Sequence, residues 1–138
     1  EALAQAHQPP GGRVVFTGHM SDPAPAYAAM DLLALSSASE QQPVSVLEAM
    51  AASLPVVSTD VGDVRYTVPE ESVPDLVSPD QADDAIEAGL AESMAAILRD
   101  EDRRVMLAHA SLRQVTEKYS FQAMFQAYRD AFDRAMAR

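Results

Sequence analysis

The 138-residue sequence contains no cysteine, and its only histidines are His7, His19 and His109. The absence of cysteine excludes disulfides, thiolate metal sites and cysteine nucleophiles. The three histidines lack the spacing of a metal-binding motif. No apolar run approaches the roughly 20 residues of a membrane-spanning helix, and the first residues do not resemble a signal peptide. These absences predict a cytoplasmic protein.

Basic residues are also scarce. Ten lysines and arginines stand against 21 aspartates and glutamates, which gives a formal net charge of −11. Such a surface repels phosphate backbones and anionic lipids, so it disfavours nucleic-acid binding and electrostatic membrane docking through this chain. Hydrophobic residues make up 48% of the chain, enough for a folded core. The length suits one domain rather than two.

Short apolar runs alternate with amphipathic segments over the first half of the chain. These runs predict strands at 13–17, 31–36, 55–59 and 75–78. Asp22 and Pro23 predict the start of a short crossover helix, and Pro43 predicts another helix after the second strand. From Asp83 onward the periodicity is helical only, and Ser120 is a suitable cap for the last helix. The pattern predicts an α/β fold with a parallel sheet and helices on both faces.

The segment 36–51 carries the clearest chemical pattern. A buried strand leads into a polar loop and then into a helix, whose first turn is expected to leave the N–H groups of Val44, Ser45 and Val46 free. Ligands of open parallel sheets bind beyond the carboxyl ends of the strands, and a helix N-terminus favours an anion such as a phosphate. Glu40 and Glu48 flank this position, and carboxylates accept hydrogen bonds from sugar hydroxyls. The segment predicts a ligand with phosphate and sugar parts; the alternative is a pair of surface glutamates without a function.

These residues also carry a resemblance to a known family. Two glutamates with seven residues between them, followed by AMAASLPVVSTDVG at 49–62, closely resemble the donor-binding signature of retaining, nucleotide-sugar-dependent glycosyltransferases of family 4. Segments 13–18 and 28–36 resemble the strand segments that precede this signature, and Arg104 and 119–121 resemble the family's tail. The resemblance covers essentially the whole chain. It implies the C-terminal, Rossmann-like half of a GT-B fold, incomplete at its N-terminal side.

The resemblance also implies a role for each position of the signature. Glu40 would be the catalytic residue, close to the hexose hydroxyls near the reacting carbon. Glu48 would accept hydrogen bonds from the ribose hydroxyls of the nucleotide. Pro43, Val44 and Ser45 would border the diphosphate and the sugar. The family requires neither a metal nor another cofactor, since a nucleotide diphosphate sugar is itself the donor substrate.

Other positions complete or modify this picture. Gly18 would lie near the nucleotide base. Gln41 stands where the family often has glycine, so the identity of the donor sugar stays open. Ser53 and Asp63 replace glycines that are usual in the family, and a non-glycine residue in a left-handed turn costs about 1 kcal/mol or more.

The resemblance implies the donor-binding part of a hexosyltransferase that acts with retention of anomeric configuration. A related GT-B enzyme, such as a nucleotide-sugar epimerase or a phosphorylase, and a non-catalytic GT-B-like binding module remain open as alternatives. The acceptor, a glycan, a lipid or a small molecule, would be held by a missing N-terminal domain. We therefore expect this chain to be inactive in transfer by itself.

The resemblance also makes an architectural prediction. Residues 1–138 would form a partial nucleotide-sugar-binding domain, with a helical tail over 83–138. Two further strands would precede Glu1, and in a doubly wound sheet they would lie between the predicted strands 13–17 and 31–36. The chain would then have an orphaned strand or an open sheet edge, which favours a homodimer or strand exchange.

Overall fold

The sheet at the centre of the molecule has three parallel strands. A computed structural model describes residues 11–137 of the chain. The strands are β1 (Leu33–Leu35), β2 (Val56–Thr59) and β3 (Leu76–Val77), and they lie side by side in that order. Each falls within a predicted strand, so the predictions at 31–36, 55–59 and 75–78 are confirmed with shorter bounds.

Helices fill most of the remaining chain. They are α1 (Ala24–Ala28), α2 (Val44–Ala51), α3 (Val64–Thr67), a 3-10 helix (Glu70–Asp75), α4 (Asp83–Arg99), α5 (Glu101–Lys118) and α6 (Phe121–Met136). Ser120 caps α6 as predicted, since its hydroxyl accepts a hydrogen bond from the Ala123 N–H. The N-cap of α1 is Pro23, and the Asp22 carboxylate before it accepts a hydrogen bond from the Ala24 N–H. Within residues 11–137, no helix is both long and apolar enough to cross a bilayer.

The two faces of the sheet bury two separate apolar clusters. Val56 belongs to the first cluster, with side chains of β1, α2 and α3, whereas Val57 belongs to the second, with side chains of α4. Successive residues of a strand point to opposite faces, so this division means that helices cover both sides of the sheet. Helix α5 contributes to both clusters, through Val115 and Leu107. The predicted α/β, Rossmann-like architecture is confirmed.

The prediction of a strand at 13–17 is wrong for this structure. Residues 13–17 form no regular element, and the side chains of Val14, Val15 and Phe16 are 41%, 59% and 56% exposed. A strand requires a neighbour to satisfy its backbone hydrogen bonds. Within residues 11–137, β1 pairs with β2 alone, so its other edge is open. An apolar sequence run cannot show whether a neighbouring strand is present.

The last helix leaves its apolar side exposed. Among the residues of α6, the side chains of Phe121, Phe125, Tyr128 and Phe132 are all more than half exposed. Phe121 and Phe125 stack on each other with ring centroids 6.4 Å apart. The predicted helical periodicity is confirmed, but in the described part of the chain this stripe faces away from the core.

Candidate functional site

The loop that follows β1 is tied to the end of β2. The Thr59 hydroxyl, at the carboxyl end of β2, donates a hydrogen bond of 2.6 Å to the Ser37 carbonyl. The Ser37 hydroxyl in turn donates one of 2.7 Å to Oε1 of Glu40. Glu40 is half-buried as a result of this packing. A chain of two hydrogen bonds therefore connects the sheet to Glu40, the carboxylate for which the family resemblance implies a catalytic role.

The turn at Gly62 contacts the backbone of the same loop. The φ angle of Gly62 is +54°, and a Cβ at this position would overlap the backbone carbonyl oxygens of Glu40 and Gln41. The N–H of Asp63 donates a hydrogen bond of 2.7 Å to the Gln41 carbonyl. The turn after β2 thus packs directly against the backbone that carries Glu40, and only a residue without a side chain fits there.

The N-terminus of α2 follows the loop. Pro43 is buried and has φ −71° and ψ 118°, which ends the loop and directs the chain into the helix. Among residues 11–137, the N–H groups of Val44 and Ser45 have no hydrogen-bond acceptor. The prediction that Val46 also has a free N–H is wrong, because that group donates to the Pro43 carbonyl over 3.1 Å. Two free N–H groups at a helix start remain available to an anion.

Glu48 lies one turn further along α2 and is exposed. The hydroxyl of Tyr27, on α1, donates a hydrogen bond of 2.9 Å to Oε2 of this carboxylate. Burial of the phenol, the hydrogen bond to Glu48 and the negative charge of that residue together raise the pKa of Tyr27 to about 12. Tyr27 is therefore a neutral hydrogen-bond donor throughout the physiological pH range.

Gly18 is not brought together with these residues. It has a φ angle of +68°, and no atom lies within 4 Å of a Cβ built on it. Its carbonyl accepts a local hydrogen bond from the Thr17 hydroxyl. The structure thus gathers Glu40, Pro43, Val44, Ser45 and Glu48 on one loop and helix, and leaves Gly18 on the exposed segment before α1.

Three cavities bear on the position of a ligand. One of about 390 Å³ lies at the carboxyl edge of the sheet and is lined by Ser37, Thr59 and Pro79, among others. One of about 550 Å³ lies between α1 and α2, where Tyr27 and Glu48 form part of the wall.

The third, of about 630 Å³, contains Arg65 and Arg113, away from the residues that the sequence singles out. Arg65 is paired with Asp60, and Arg113 with Glu71. Ligands of open parallel sheets bind beyond the carboxyl ends of the strands, so we place the candidate site at the loop after β1 and the start of α2. Of the predicted site residues in this segment, Glu48 borders the cavity between α1 and α2, and none borders the cavity at the carboxyl edge.

The residues of this site suit the recognition of hydroxyl groups and of an anion. Glu40 and Glu48 are acceptors, and the N–H groups of Val44 and Ser45 are donors. Within the described range 11–137, no group of three or more histidine, aspartate and glutamate side chains is arranged to hold a metal ion.

Sequence reasoning did not assign roles to Ser37, Thr59 and Tyr27. Tyr27 lies in the predicted crossover helix and is half-buried, and a tyrosine hydroxyl at the margin of a core needs a polar partner. This requirement indicates that Tyr27 has a hydrogen-bond partner. It does not identify the partner as Glu48, which is 21 residues further along the chain. The roles of Ser37 and Thr59 depend on contacts between neighbouring strand ends, which no local pattern encodes.

The chain is similar to two characterised glycosyltransferases. It is 31% identical over 118 residues to the sulfoquinovosyl transferase SQD2 of Arabidopsis thaliana, an alignment that covers 82% of this chain and 22% of that protein. It is also 31% identical over 117 residues to the lipopolysaccharide core biosynthesis glycosyltransferase LpsE of Rhizobium meliloti, covering 85% of this chain and 33% of that protein. The chain thus spans between about a fifth and a third of the length of these relatives.

A family model gives the assignment. The model described as Glycosyl transferases group 1 matches residues 1–100, which include the whole sheet, the loop with Glu40 and the helix with Glu48. Together with the two relatives, this match confirms the resemblance to a GT-B glycosyltransferase. The chain belongs to the glycosyl transferases group 1 family.

Proposed function

We propose that this chain is the donor-binding part of a retaining hexosyltransferase of family 4, which takes its hexosyl unit from a nucleotide diphosphate sugar. The observation that carries the proposal is the joint placement of Glu40, the free N–H groups of Val44 and Ser45, and Glu48 along one loop and helix. Membership of the glycosyltransferase family supports the reaction class. The reaction's stereochemistry and the donor's chemistry are the parts that we propose.

The donor would bind in an order set by these groups. The diphosphate would lie at the N-terminus of α2, where the N–H groups of Val44 and Ser45 are available. The hexose would contact Glu40 on the side of the sheet, and the ribose would contact Glu48 further along the helix. Cations for the diphosphate would come mainly from outside this chain, because the chain has a net charge of −11.

Glu40 would act by position and charge rather than as a nucleophile. In the proposed reaction the bond between the anomeric carbon and the leaving phosphate oxygen breaks, and the acceptor oxygen bonds to the same face of that carbon. The departing phosphate takes the proton of the acceptor hydroxyl. Glu40 would hold the hexose hydroxyls and stabilise the oxocarbenium-like charge, and its hydrogen bond from Ser37 fixes the carboxylate in advance.

The rest of the reaction would need parts that this chain does not contain. A separate N-terminal domain would hold the acceptor, which we propose to be a glycan, a lipid or a small molecule. The proposed reaction uses no metal ion or other cofactor. We propose a cytoplasmic location for the enzyme, as the sequence predicts. By itself the chain would bind a donor weakly and would not transfer sugar.

Substitution of the two glutamates in the full-length protein tests the proposal. We expect Glu40→Gln to lower kcat by about 100-fold or more, as for other losses of transition-state stabilisation. We expect Glu48→Gln to raise the donor KM by about tenfold with a smaller effect on kcat. Turnover is measured with a panel of nucleotide sugars, and proton NMR of the product gives its anomeric configuration.

The control is Glu117→Gln, which removes an exposed carboxylate from α5 that lies outside the loop and α2. It should leave kcat and KM unchanged. Unchanged transfer in both Glu40→Gln and Glu48→Gln would remove the roles proposed for these residues. A product of inverted configuration would contradict the retaining mechanism.

A further inference from the structure

Tyr27 and Glu48 lie on different helices, which precede and follow β1 in the sequence. Tyr27 is in α1, before the strand, and Glu48 is in α2, after it. Their side chains meet through the hydrogen bond of 2.9 Å from the phenol to Oε2 of the carboxylate. This contact spans 21 positions of the sequence, so it depends on the fold rather than on local chain geometry.

The hydrogen bond restrains a side chain that would otherwise be mobile. Glu48 is exposed, and an exposed glutamate samples several rotamers, whose loss on binding lowers the affinity for a ligand. The phenol occupies one carboxylate oxygen and leaves Oε1 available to accept another hydrogen bond. A charged hydrogen bond is also among the stronger contacts of an exposed side chain.

The surroundings of the pair leave room for a ligand. The cavity of about 550 Å³ beside Tyr27 and Glu48 is lined by small or apolar residues such as Pro23, Ala28 and Ala51. None of these side chains can donate a hydrogen bond to Glu48. Within the described residues, Tyr27 is the side chain that donates one, and Glu48 is exposed and borders this cavity.

We propose that Tyr27 is a positioning residue, which holds Glu48 in the orientation that accepts hydrogen bonds from the ribose of the nucleotide. The inference rests on the proposed function, because it takes the ribose as the ligand of Glu48. Tyr27 itself does not contact the reacting atoms. Its contribution is that Glu48 is ordered before the donor arrives.

The role of Tyr27 can be tested by removing the 2′- and 3′-hydroxyls of the ribose from the ligand. Binding to the full-length protein is measured by calorimetry with a ribonucleoside diphosphate and with its 2′,3′-dideoxy counterpart, for the wild type, Tyr27→Phe and Glu48→Gln. The base is the one, among uracil, adenine and guanine, whose ribonucleoside diphosphate binds most tightly. Tyr27→Phe should weaken binding of the ribonucleotide by roughly 3- to 10-fold and change binding of the dideoxynucleotide by less than about twofold.

Two controls separate positioning from folding. Tyr128→Phe removes the hydroxyl of an exposed tyrosine on α6 and should leave both affinities unchanged. The aromatic ring is kept in Tyr27→Phe, so the melting temperature should stay close to that of the wild type. In the double variant Tyr27→Phe/Glu48→Gln, the preference for ribose should be no lower than in Glu48→Gln alone, because Tyr27 acts through Glu48.

The outcomes distinguish this inference from the proposed function. If Glu48→Gln lowers the preference for ribose and Tyr27→Phe does not, the role of Tyr27 is overturned and the nucleotide site stands. If neither variant changes the preference, the ribose site at Glu48 is overturned, and the role of Tyr27 with it. Tighter ribonucleotide binding in Tyr27→Phe would show that the phenol competes with the ligand, which also overturns the inference.

Discussion

Gly62 is the residue whose lack of a side chain matters most for the candidate site. The carbonyl oxygens of Glu40 and Gln41 occupy the space where its Cβ would lie, and its φ angle of +54° is strained for other residues. We expect Gly62→Ala to lower the free energy of unfolding by more than about 2 kcal/mol, because backbone strain and the overlap add together. Chemical denaturation measures this loss.

Gly11→Ala is the matched control for this substitution. Gly11 also has a positive φ angle, but no atom lies within 4 Å of a Cβ built on it. The loss should therefore be smaller than for Gly62→Ala. Equal losses in the two variants would show that strain alone is responsible, and that the contact between the turn and the Glu40 loop adds nothing.

Tyr27 is predicted to give the molecule a pH dependence in alkaline solution. Its pKa is raised from the ordinary 10.0 to about 12, first by burial and then by Glu48. Because the folded-state pKa is the higher one, the stabilisation is present below pH 10 and is lost as the pH rises through 12. The difference in unfolding free energy between the wild type and Tyr27→Phe, measured with urea, should therefore be small at neutral pH and should shift against the wild type between pH 10 and pH 12. A constant difference across this range would contradict the assignment.

At the level of elements, the end of β2 fixes the loop that carries Glu40. The Thr59 hydroxyl donates to the Ser37 carbonyl, so Thr59→Val removes this bond and keeps the shape of the side chain. We expect a loss of stability of about 1 to 2 kcal/mol, since the partly buried Ser37 carbonyl loses its partner. We also expect kcat of the full-length protein to fall, because Glu40 is less well held.

Ser58→Ala serves as the control on the same strand. The Ser58 hydroxyl is buried and donates to the Thr59 carbonyl, so this variant removes a hydrogen bond of β2 that does not reach the loop. It should cost a similar stability and leave kcat nearly unchanged. Equal effects of both variants on kcat would show that strand stability, rather than the connection to Ser37, controls the activity.

The sequence predicted elements better than it predicted their contacts. Continuous apolar runs gave three of the strands, and Pro43 marked the start of α2, because these signals are local. The run at 13–17 has the same composition but lacks a neighbouring strand among the described residues, and this cannot be seen in a local pattern.

The candidate site shows the same limit. The strand–loop–helix pattern and the family resemblance singled out Glu40 and Glu48, and the structure places both on one loop and helix. The contacts that hold them come from Ser37, Thr59 and Tyr27, on other parts of the fold. These contacts join residues that are distant in the sequence, so local sequence patterns do not predict them.

At the scale of the whole molecule, the open edge of β1 is the feature with the clearest consequence. The Leu33 N–H bonds to the Pro55 carbonyl, and N–H groups alternate in direction along a strand, so the Ala34 N–H faces the open edge. Unpaired edges favour association with another chain. We propose that this chain forms a homodimer or exchanges strands through the edge, and expect light scattering to show a species larger than a monomer.

Ala34→Pro tests this use of the edge. Proline removes the outward N–H without touching the bond from Leu33 to β2, so association should be reduced. Ala34→Ser keeps the N–H and should associate like the wild type. A wild-type chain that is monomeric at all concentrations would contradict the proposal.

We propose that a nucleotide binds at the start of α2 and not in the cavity between α3 and α5. Methyl NMR of the full-length protein with a nucleoside diphosphate tests this most directly. Val44 is 64% exposed at the start of α2, whereas Val68 and Val73 line the other cavity. The methyl signals of Val44 should shift on titration, and those of Val68 and Val73 should not. Shifts of Val68 and Val73 without a shift of Val44 would contradict it.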